Sequence, residues 1–259
     1  MERDDLASLA GIFYAAPLER GTLVRLDETA THHLRVRRLE AGERVYLADG
    51  AGRQAVGSIV HIGKKDAEVS IDDVMTSPRG APVHLVVPVA DRDRMMWCAE
   101  KCAELGAASW RPVLWHRSRS VSPRGEGDAF REKIVARMSS ALIQSRAPWL
   151  PDVEREVALS DALSRLPTDG TRLSLEQGGQ PIALEHPAAP VSIAIGPEGG
   201  MESSEREMLR NAGFRAVSLG ANVLRFETAA VAALAIVRSK LEAARSSPGS
   251  PAPPEKTNG

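Results

Sequence analysis

Two short stretches near the C-terminal end of the chain hold the residue types and spacings that chemistry needs. The first, Ile195-Gly196-Pro197-Glu198-Gly199-Gly200, follows directly on the apolar run Val191-Ser192-Ile193-Ala194-Ile195. Three glycines in five residues let the backbone lie against a ligand and adopt positive φ angles, and Pro197 stiffens the turn. The second, Leu219-Gly220-Ala221-Asn222-Val223-Leu224-Arg225-Phe226-Glu227, runs into an Ala-rich segment. It puts Arg225 and Glu227 at the mouth of a helix. Glu227 has a ready explanation there, because a carboxylate complements the positive end of the helix dipole. Arg225 does not, since a cation is disfavoured at that end, so it is the better functional candidate. Neither stretch is G-x-G-x-x-G, and no G-K-[ST] follows, which argues against a dinucleotide or triphosphate cradle.

The elements that must position these stretches read as an α/β pattern. From residue 83 onward, Val83 to Val89, Trp110 to Trp115, Arg172 to Leu175, Val191 to Ile195 and Ala216 to Leu219 are strand candidates. They alternate with helices over Arg94 to Leu105, Asp128 to Arg146 and Thr228 to Arg245. Ser204 and Glu207 read as a capping box opening another helix, which Gly213 closes. Strands alternating with helices predict a mainly parallel sheet, with ligands bound where strand ends meet loops. Residues up to about 75 read as mostly β: Val45 to Ala48, an Asp49-Gly50 turn, Gln54 to Ile62, then Glu68 to Ile71. Such short strands suggest a small barrel. The expected division is a barrel domain over 1–76, an α/β domain over 77–245, and a Pro/Ser/Gly-rich disordered tail over 246–259.

The 259 residues carry a net charge of −1, so no global field draws the protein to a polyanion. Local charge says more. Residues 111–146 hold eight basic against three acidic side chains, and His32-His33-Leu34-Arg35-Val36-Arg37-Arg38 is a second basic stretch. Each fits a footprint on nucleic acid or a merely solvated face. Four tryptophans, Trp97, Trp110, Trp115 and Trp149, read mostly as core, with base stacking as the alternative. Cys98 and Cys102 are the only cysteines and read as buried thiols rather than a metal or redox site. No apolar run approaches the ~18–20 residues of a membrane span, and the acidic start is not a secretory leader, so a cytoplasmic location without membrane attachment is expected.

The paired motifs G-P-E-G-G and L-G-x-x-x-L-R-x-E-T-A, about two dozen residues apart, resemble the two cofactor loops of SPOUT methyltransferases, and of the RsmE family in particular. Weaker matches accompany them: Lys101-Cys102-Ala103-Glu104-Leu105-Gly106, Pro112, Arg117-Ser118, Gln144-Ser145, Pro151, and His32-His33-Leu34 leading to Asp49-Gly50. The resemblance covers about residues 10 to 243. It implies a C-terminal SPOUT domain with a trefoil knot, an N-terminal PUA-like β-barrel, and a homodimer. It further implies S-adenosylmethionine as cofactor and N3 of a uridine in 16S ribosomal RNA of the small subunit as target. The chain departs from the family at Phe226, usually Thr, at Arg94 and Met96, usually Lys and Glu, and in Ser140 to Arg146, where two usual glutamates are missing and the arginine is shifted by one.

On that resemblance the cofactor would contact Leu175, Ile195, Gly196, Pro197, Glu198, Gly199, Gly200, Leu219, Gly220, Asn222, Val223 and Leu224. Uracil N3 carries a proton and must lose it before attack. Arg225 would favour the resulting anion, and Glu198 or Glu227 would accept the proton if burial raises its pKa. His116 is a weaker candidate. His32, His33, Arg35, Arg37, Arg38, Arg117 and Arg119 would grip the RNA. Two other readings stay open: a SPOUT enzyme with another target nucleotide, and an RNA-binding assembly factor that has lost catalysis.

Overall fold

The computed structural model describes residues 8–118, 123–183 and 187–246. The chain folds as two compact units. The first comprises residues up to 80 with 92–110 and 125–155, and the second 81–91, 111–124 and 156 onward.

The first unit is built on a five-stranded sheet of β1 (Ala10–Phe13), β2 (Leu23–Leu26), β3 (Arg44–Ala48), β4 (Arg53–Ile62) and β5 (Ala67–Thr76). The order is β1-β3-β4-β5-β2, parallel between β1 and β3 and antiparallel elsewhere. The edge strands β1 and β2 do not pair with each other, so the expected barrel is a curled half-barrel. Its concave face buries Ile12, Leu18, Leu26, Val45, Leu47, Ile59, Val69 and Ile71. β5 alternates over Ala67–Ile71 because one face meets this core, whereas β3 and β4 are buried on both faces, with Tyr46, Ala48 and Val56 packed with Leu142 in a second cluster.

The β-rich expectation missed helix α1 (Glu28–Val36). Asp27 caps it by accepting the Ala30 N–H at 2.8 Å, and Thr31 and Leu34 are its buried face. The same unit holds α2 (Arg92–Glu104) and α3 (Asp128–Ser145). Cys98 and Cys102 are buried on α2 with their sulfurs 3.9 Å apart. Gly11 of β1 lets α3 come close, for a Cβ there would lie 2.3 Å from Ile143 Cγ2. Strand β7 (Ser109–Val113) starts beside β8 (Asp152–Val153), with which it pairs in parallel.

The second unit carries β6 (Val83–Pro88), β9 (Thr171–Pro181), β10 (Val191–Ile195) and β11 (Arg215–Ser218). The full strand order of this sheet is β11-β9-β10-β6-β7-β8. The pairings of β10 with β6 and β9, and of β9 with β11, are parallel. Every residue of β10 is buried, as a strand covered on both faces requires. The helices here are α4 (Leu159–Ser164), α5 (Ser203–Asn211) and α6 (Phe226–Ser246), and α6 packs on β6 and β10. Among the described residues no helix is long and apolar enough to cross a membrane, and no group of three or more His, Cys, Asp or Glu is placed to hold a metal ion. Of the tail expected over 246–259, Ser246 instead ends α6, and residues 247–259 lie outside the described residues.

Two local expectations are corrected. The capping box of α5 is Glu202 and Glu205, not Ser204 and Glu207. Gly200, at φ +75°, turns the chain early, so the helix begins at Ser203 and Ser204 is already inside it. The basic run 111–146 is also not one continuous exposed face among the described residues, although Arg117, Lys133 and Arg137 are exposed. Arg111 is only 5% exposed, Arg131 donates to Val153 O, and Arg137 is paired with Glu100. Arg146 lies over the Tyr46 ring at 4.3 Å and donates to Leu9 O at 2.7 Å, and burial pulls its pKa down. A count along the chain cannot see which cations the fold has consumed.

Candidate active site

Two parallel strands of the second unit end beside one cleft of about 720 Å³, and a third bulges into it. β10 delivers Ile195, Gly196, Pro197, Glu198 and Gly200, and β11 delivers Leu219, Gly220, Asn222, Val223, Leu224 and Arg225. The third contribution is a bulge in β9. Ala216 of β11 is level with Ser174, yet the next residue, Val217, is level with Gln180. Residues 175–179 are thus thrown out of the β9–β11 ladder, and all five line the cleft. Gly179 permits the strand to close again, because a Cβ there would sit 2.6 Å from Val217 N.

The β10 loop is braced from several sides. Gly200 N–H donates to Pro197 O at 2.8 Å, and Arg117 Nη1 donates to Gly199 O at 2.9 Å. The buried carboxylate of Glu205 accepts from Glu202 N–H at 2.7 Å and His116 N–H at 2.8 Å, and His116 Nδ1 lies 2.8 Å from Glu202. Gly196 packs on Met201, whose Cγ would be 2.7 Å from any Cβ added at residue 196. The β11 loop is open by contrast: residues 220–225 are all exposed, Val223 to 78%. Its last residue, Arg225, starts α6 by accepting the Ala229 N–H at 2.9 Å.

The cofactor-contact residues expected from the sequence therefore all line the cleft except Gly199, whose carbonyl holds Arg117. Of the three catalytic candidates, Arg225 and Glu198 line it and are exposed, while Glu227 is buried in the first turn of α6 and is not part of the lining. The sequence reading missed Glu176, Gln177, Gly178, Gly179, Met201, Arg206, Ser218 and Phe226. A signal for four of them existed, since Glu176-Gln177-Gly178-Gly179 follows an apolar strand just as the two recognised loops do.

The expected RNA-binding residues divide. In the first unit His32, His33, Arg35, Arg37 and Arg38 are exposed on α1 and just after it, where Arg35 Nη1 reaches Lys64 O at 3.3 Å. Burial, then Arg37 and His32, hold the His33 imidazole below its ordinary pKa. In the second unit Arg117 is occupied with Gly199. Arg119 lies outside the described residues. Trp110 and Trp115 are core, whereas Trp97 is 47% exposed. The family departures Met96, Ser140 and Ala141 line a second hollow on α2 and α3, most of whose charges are paired. Lys101 bridges Glu100 and Glu104, and its hydrogen bond holds the Glu100 carboxyl below the usual range.

A parallel sheet with loop-lined strand ends around one cleft, in a chain that also carries a curled PUA-like half-barrel, is the architecture of the SPOUT class of α/β proteins. The chain belongs to the RNA methyltransferase family, whose domain model matches residues 77–238, and the RNA methyltransferase PUA domain matches residues 26–72. Within that family several relatives of this chain are ribosomal RNA small subunit methyltransferases E. It is 29% identical over 249 residues to the ribosomal RNA small subunit methyltransferase E of Mycobacterium tuberculosis, covering 88% of this chain and 91% of that one. Its counterpart in Aquifex aeolicus is 26% identical over 231 residues, 87% of this chain and 98% of that one. The crystal structure of the same enzyme from Neisseria gonorrhoeae, bound to S-adenosyl methionine, has a TM-score of 0.78 at 28% identity, covering 89% of this chain and 97% of that one. A putative methyltransferase of Legionella pneumophila, in complex with the same cofactor, has a TM-score of 0.77 at 27% identity and covers 91% and 98%.

Proposed function

We propose that this protein methylates N3 of a uridine in the 16S ribosomal RNA of the small subunit, with S-adenosylmethionine as donor, acting as a homodimer in the cytoplasm. The observation that carries the reading is the meeting of two glycine-bearing strand ends and the glycine-bearing bulge of β9 in one cleft, with Arg225 on its wall. The cleft suits an adenosine-bearing ligand. Its volume of about 720 Å³ is that of a small-molecule site. Leu175, Ile195, Leu219 and Leu224 offer apolar faces to a base, and Gly196, Gly200 and Gly220 leave backbone open to a ligand. The cofactor would supply a methyl group on a sulfonium, a bond that breaks with its electron pair staying on sulfur.

The chain's own residues do the rest. The apolar walls keep water from the reacting centre and hold it in line. Arg225 provides a cation for the negative charge that uracil O2 and O4 share once N3 is deprotonated. By reach rather than by burial, Glu198 takes the N3 proton: it lines the cleft and is exposed, whereas the buried Glu227 is off the lining and is better explained as a partner of the α6 dipole. A uracil in a stable helix is out of reach, so the target is an unpaired or flipped nucleotide. Residues 1–76 grip the RNA backbone through His32, Arg35, Arg37 and Arg38, with Arg117 and Arg119 assisting from the 77–245 domain.

The test is a map of modified nucleotides in small-subunit ribosomal RNA from cells with and without the protein, joined to calorimetry with S-adenosylmethionine. One 3-methyluridine should vanish on deletion and return with the wild-type chain. If no methyluridine disappears, the N3 assignment is wrong; if the cofactor does not bind, the donor assignment is wrong.

A further inference from the structure

Four ionisable side chains line the cleft: Glu176, Glu198, Arg206 and Arg225. Three of them have an evident reason to be there or are well solvated. Glu198 and Arg225 are exposed, and the Arg206 side chain is 42% exposed. Glu176 differs. Its side chain is only 18% exposed, and it is carried on the bulge that leaves the β9–β11 ladder. Both carboxylate oxygens are fixed: Ser174 Oγ donates to Oε1 at 2.9 Å, and Arg206 Nε donates to Oε2 at 3.1 Å. Each oxygen accepts about two hydrogen bonds, so two acceptor positions remain, already oriented. A half-buried ion pair contributes little net stability, which leaves its place in the cleft to be explained by a ligand.

We propose that Glu176 is a specificity-determining residue for the donor, accepting the two hydroxyls of the cofactor's ribose, and that Arg206 is the residue that positions it. This rests on the donor reading above. Three donor groups of the cofactor could meet the carboxylate, the adenine amine, the methionine ammonium and the ribose diol, and the amine goes with the ring between the apolar walls of Leu175, Ile195, Leu219 and Leu224. Charge decides between the other two. The ammonium group of the methionine moiety would have to settle beside the Arg206 guanidinium and meet its repulsion. A neutral vicinal diol meets none, and its two donors match the two open acceptor positions of one carboxylate. Discrimination by such a site is steep, because a ligand lacking the hydroxyls leaves a half-buried carboxylate short of partners.

The experiment is calorimetry with S-adenosylmethionine, S-adenosylhomocysteine and the 2′-deoxy analogue of S-adenosylhomocysteine, on the full chain and on Glu176→Gln, Glu176→Ala and Arg206→Gln. Thermal melting checks that each variant is folded, and the isosteric Glu176→Gln covers the case in which the alanine variant is not. The wild type should bind the deoxy analogue about ten- to a hundredfold more weakly than S-adenosylhomocysteine, the range of one charge-assisted hydrogen bond. Glu176→Gln and Glu176→Ala should lose more affinity for the two ligands that carry both hydroxyls than for the deoxy analogue, which keeps only the 3′-hydroxyl for the carboxylate to accept. Arg206→Gln should show the same selectivity with a smaller loss. Equal losses on all three ligands would make Glu176 a structural residue and overturn the proposal, as would no loss at all. A wild type that binds none of the three would overturn the donor reading, and the proposal with it.

Discussion

The two glycine-bearing loops that face each other across the cleft are built on different principles. The β10 loop is held by its own backbone, by Arg117, and by a buried carboxylate that reaches it from α5. The β11 loop spends its residues 220–225 in solvent and carries two bare apolar side chains, Val223 and Leu224. The first is a finished surface against which a ligand can be placed without reorganisation, the condition for strong electrostatic and positional effects. The second gains its apolar contacts only when something lies over it. The difference teaches where to look for binding and where for chemistry: affinity should respond to damage in the β10 loop, and turnover to damage at the end of the β11 loop.

The sharpest break of that contrast is Arg225→Ala. Methyl transfer to small-subunit RNA should fall by about two to three orders of magnitude, the usual cost of removing a group that stabilises developing negative charge, while calorimetric affinity for S-adenosylmethionine changes little. A parallel loss of both would move Arg225 from the chemistry into the architecture of the loop. Next in size is Glu205→Ala, which strips the acceptor from two backbone N–H groups. Denaturant unfolding should show a loss of about 2–3 kcal/mol, with cofactor affinity falling alongside. Retained affinity in that variant would mean the β10 loop needs no brace.

Gly196→Ala should cost about 1–3 kcal/mol, divided between stability and affinity, because the new Cβ meets Met201. Adding Met201→Ala should recover much of it, and a double-mutant cycle with no coupling would remove that contact from the account. The smallest effect concerns the first unit. With its pKa held down, the His33 imidazole is neutral near pH 7 and lends no charge to RNA binding. His33→Asn should therefore leave RNA affinity at pH 7.5 unchanged in filter binding, where Arg35→Ala weakens it several-fold, and a deficit should emerge only as pH falls below the ordinary imidazole value of about 6.5. The sign follows for stability too. A depressed imidazole pKa contributes above the unfolded value and is lost as pH falls through the folded one, so wild-type and His33→Asn stabilities should diverge toward acid pH.

Much of this was legible in order along the chain. β10 and the loop after it announced themselves by an unbroken apolar run ended by glycines, and α6 by its alanines. Helix α1 was legible too, from Asp27 as cap and Thr31 and Leu34 at helical spacing, but its histidines and arginines drew the eye to charge instead of period. The α5 capping box was misplaced by two residues because a serine followed by a glutamate three residues on is a common pattern, and only the turn at Gly200 selects which acidic pair meets the backbone. The fate of Arg111 and Arg146 had no local signature at all, since each is consumed by residues far away in sequence.

What the sequence determined by itself is the pair of loops, the parallel sheet beneath them and the family resemblance, because apolar period and glycine placement are properties of neighbours in the chain. What only the tertiary structure decided is the third wall of the cleft. The bulge of residues 175–179 exists because β9 must pair with β10 through Leu175 while β11 pairs with β9 on both sides of the gap. Register between strands some forty residues apart is a property of the assembled sheet, so the glycines after Glu176 mark a loop in the sequence but only the sheet turns that loop into the cleft.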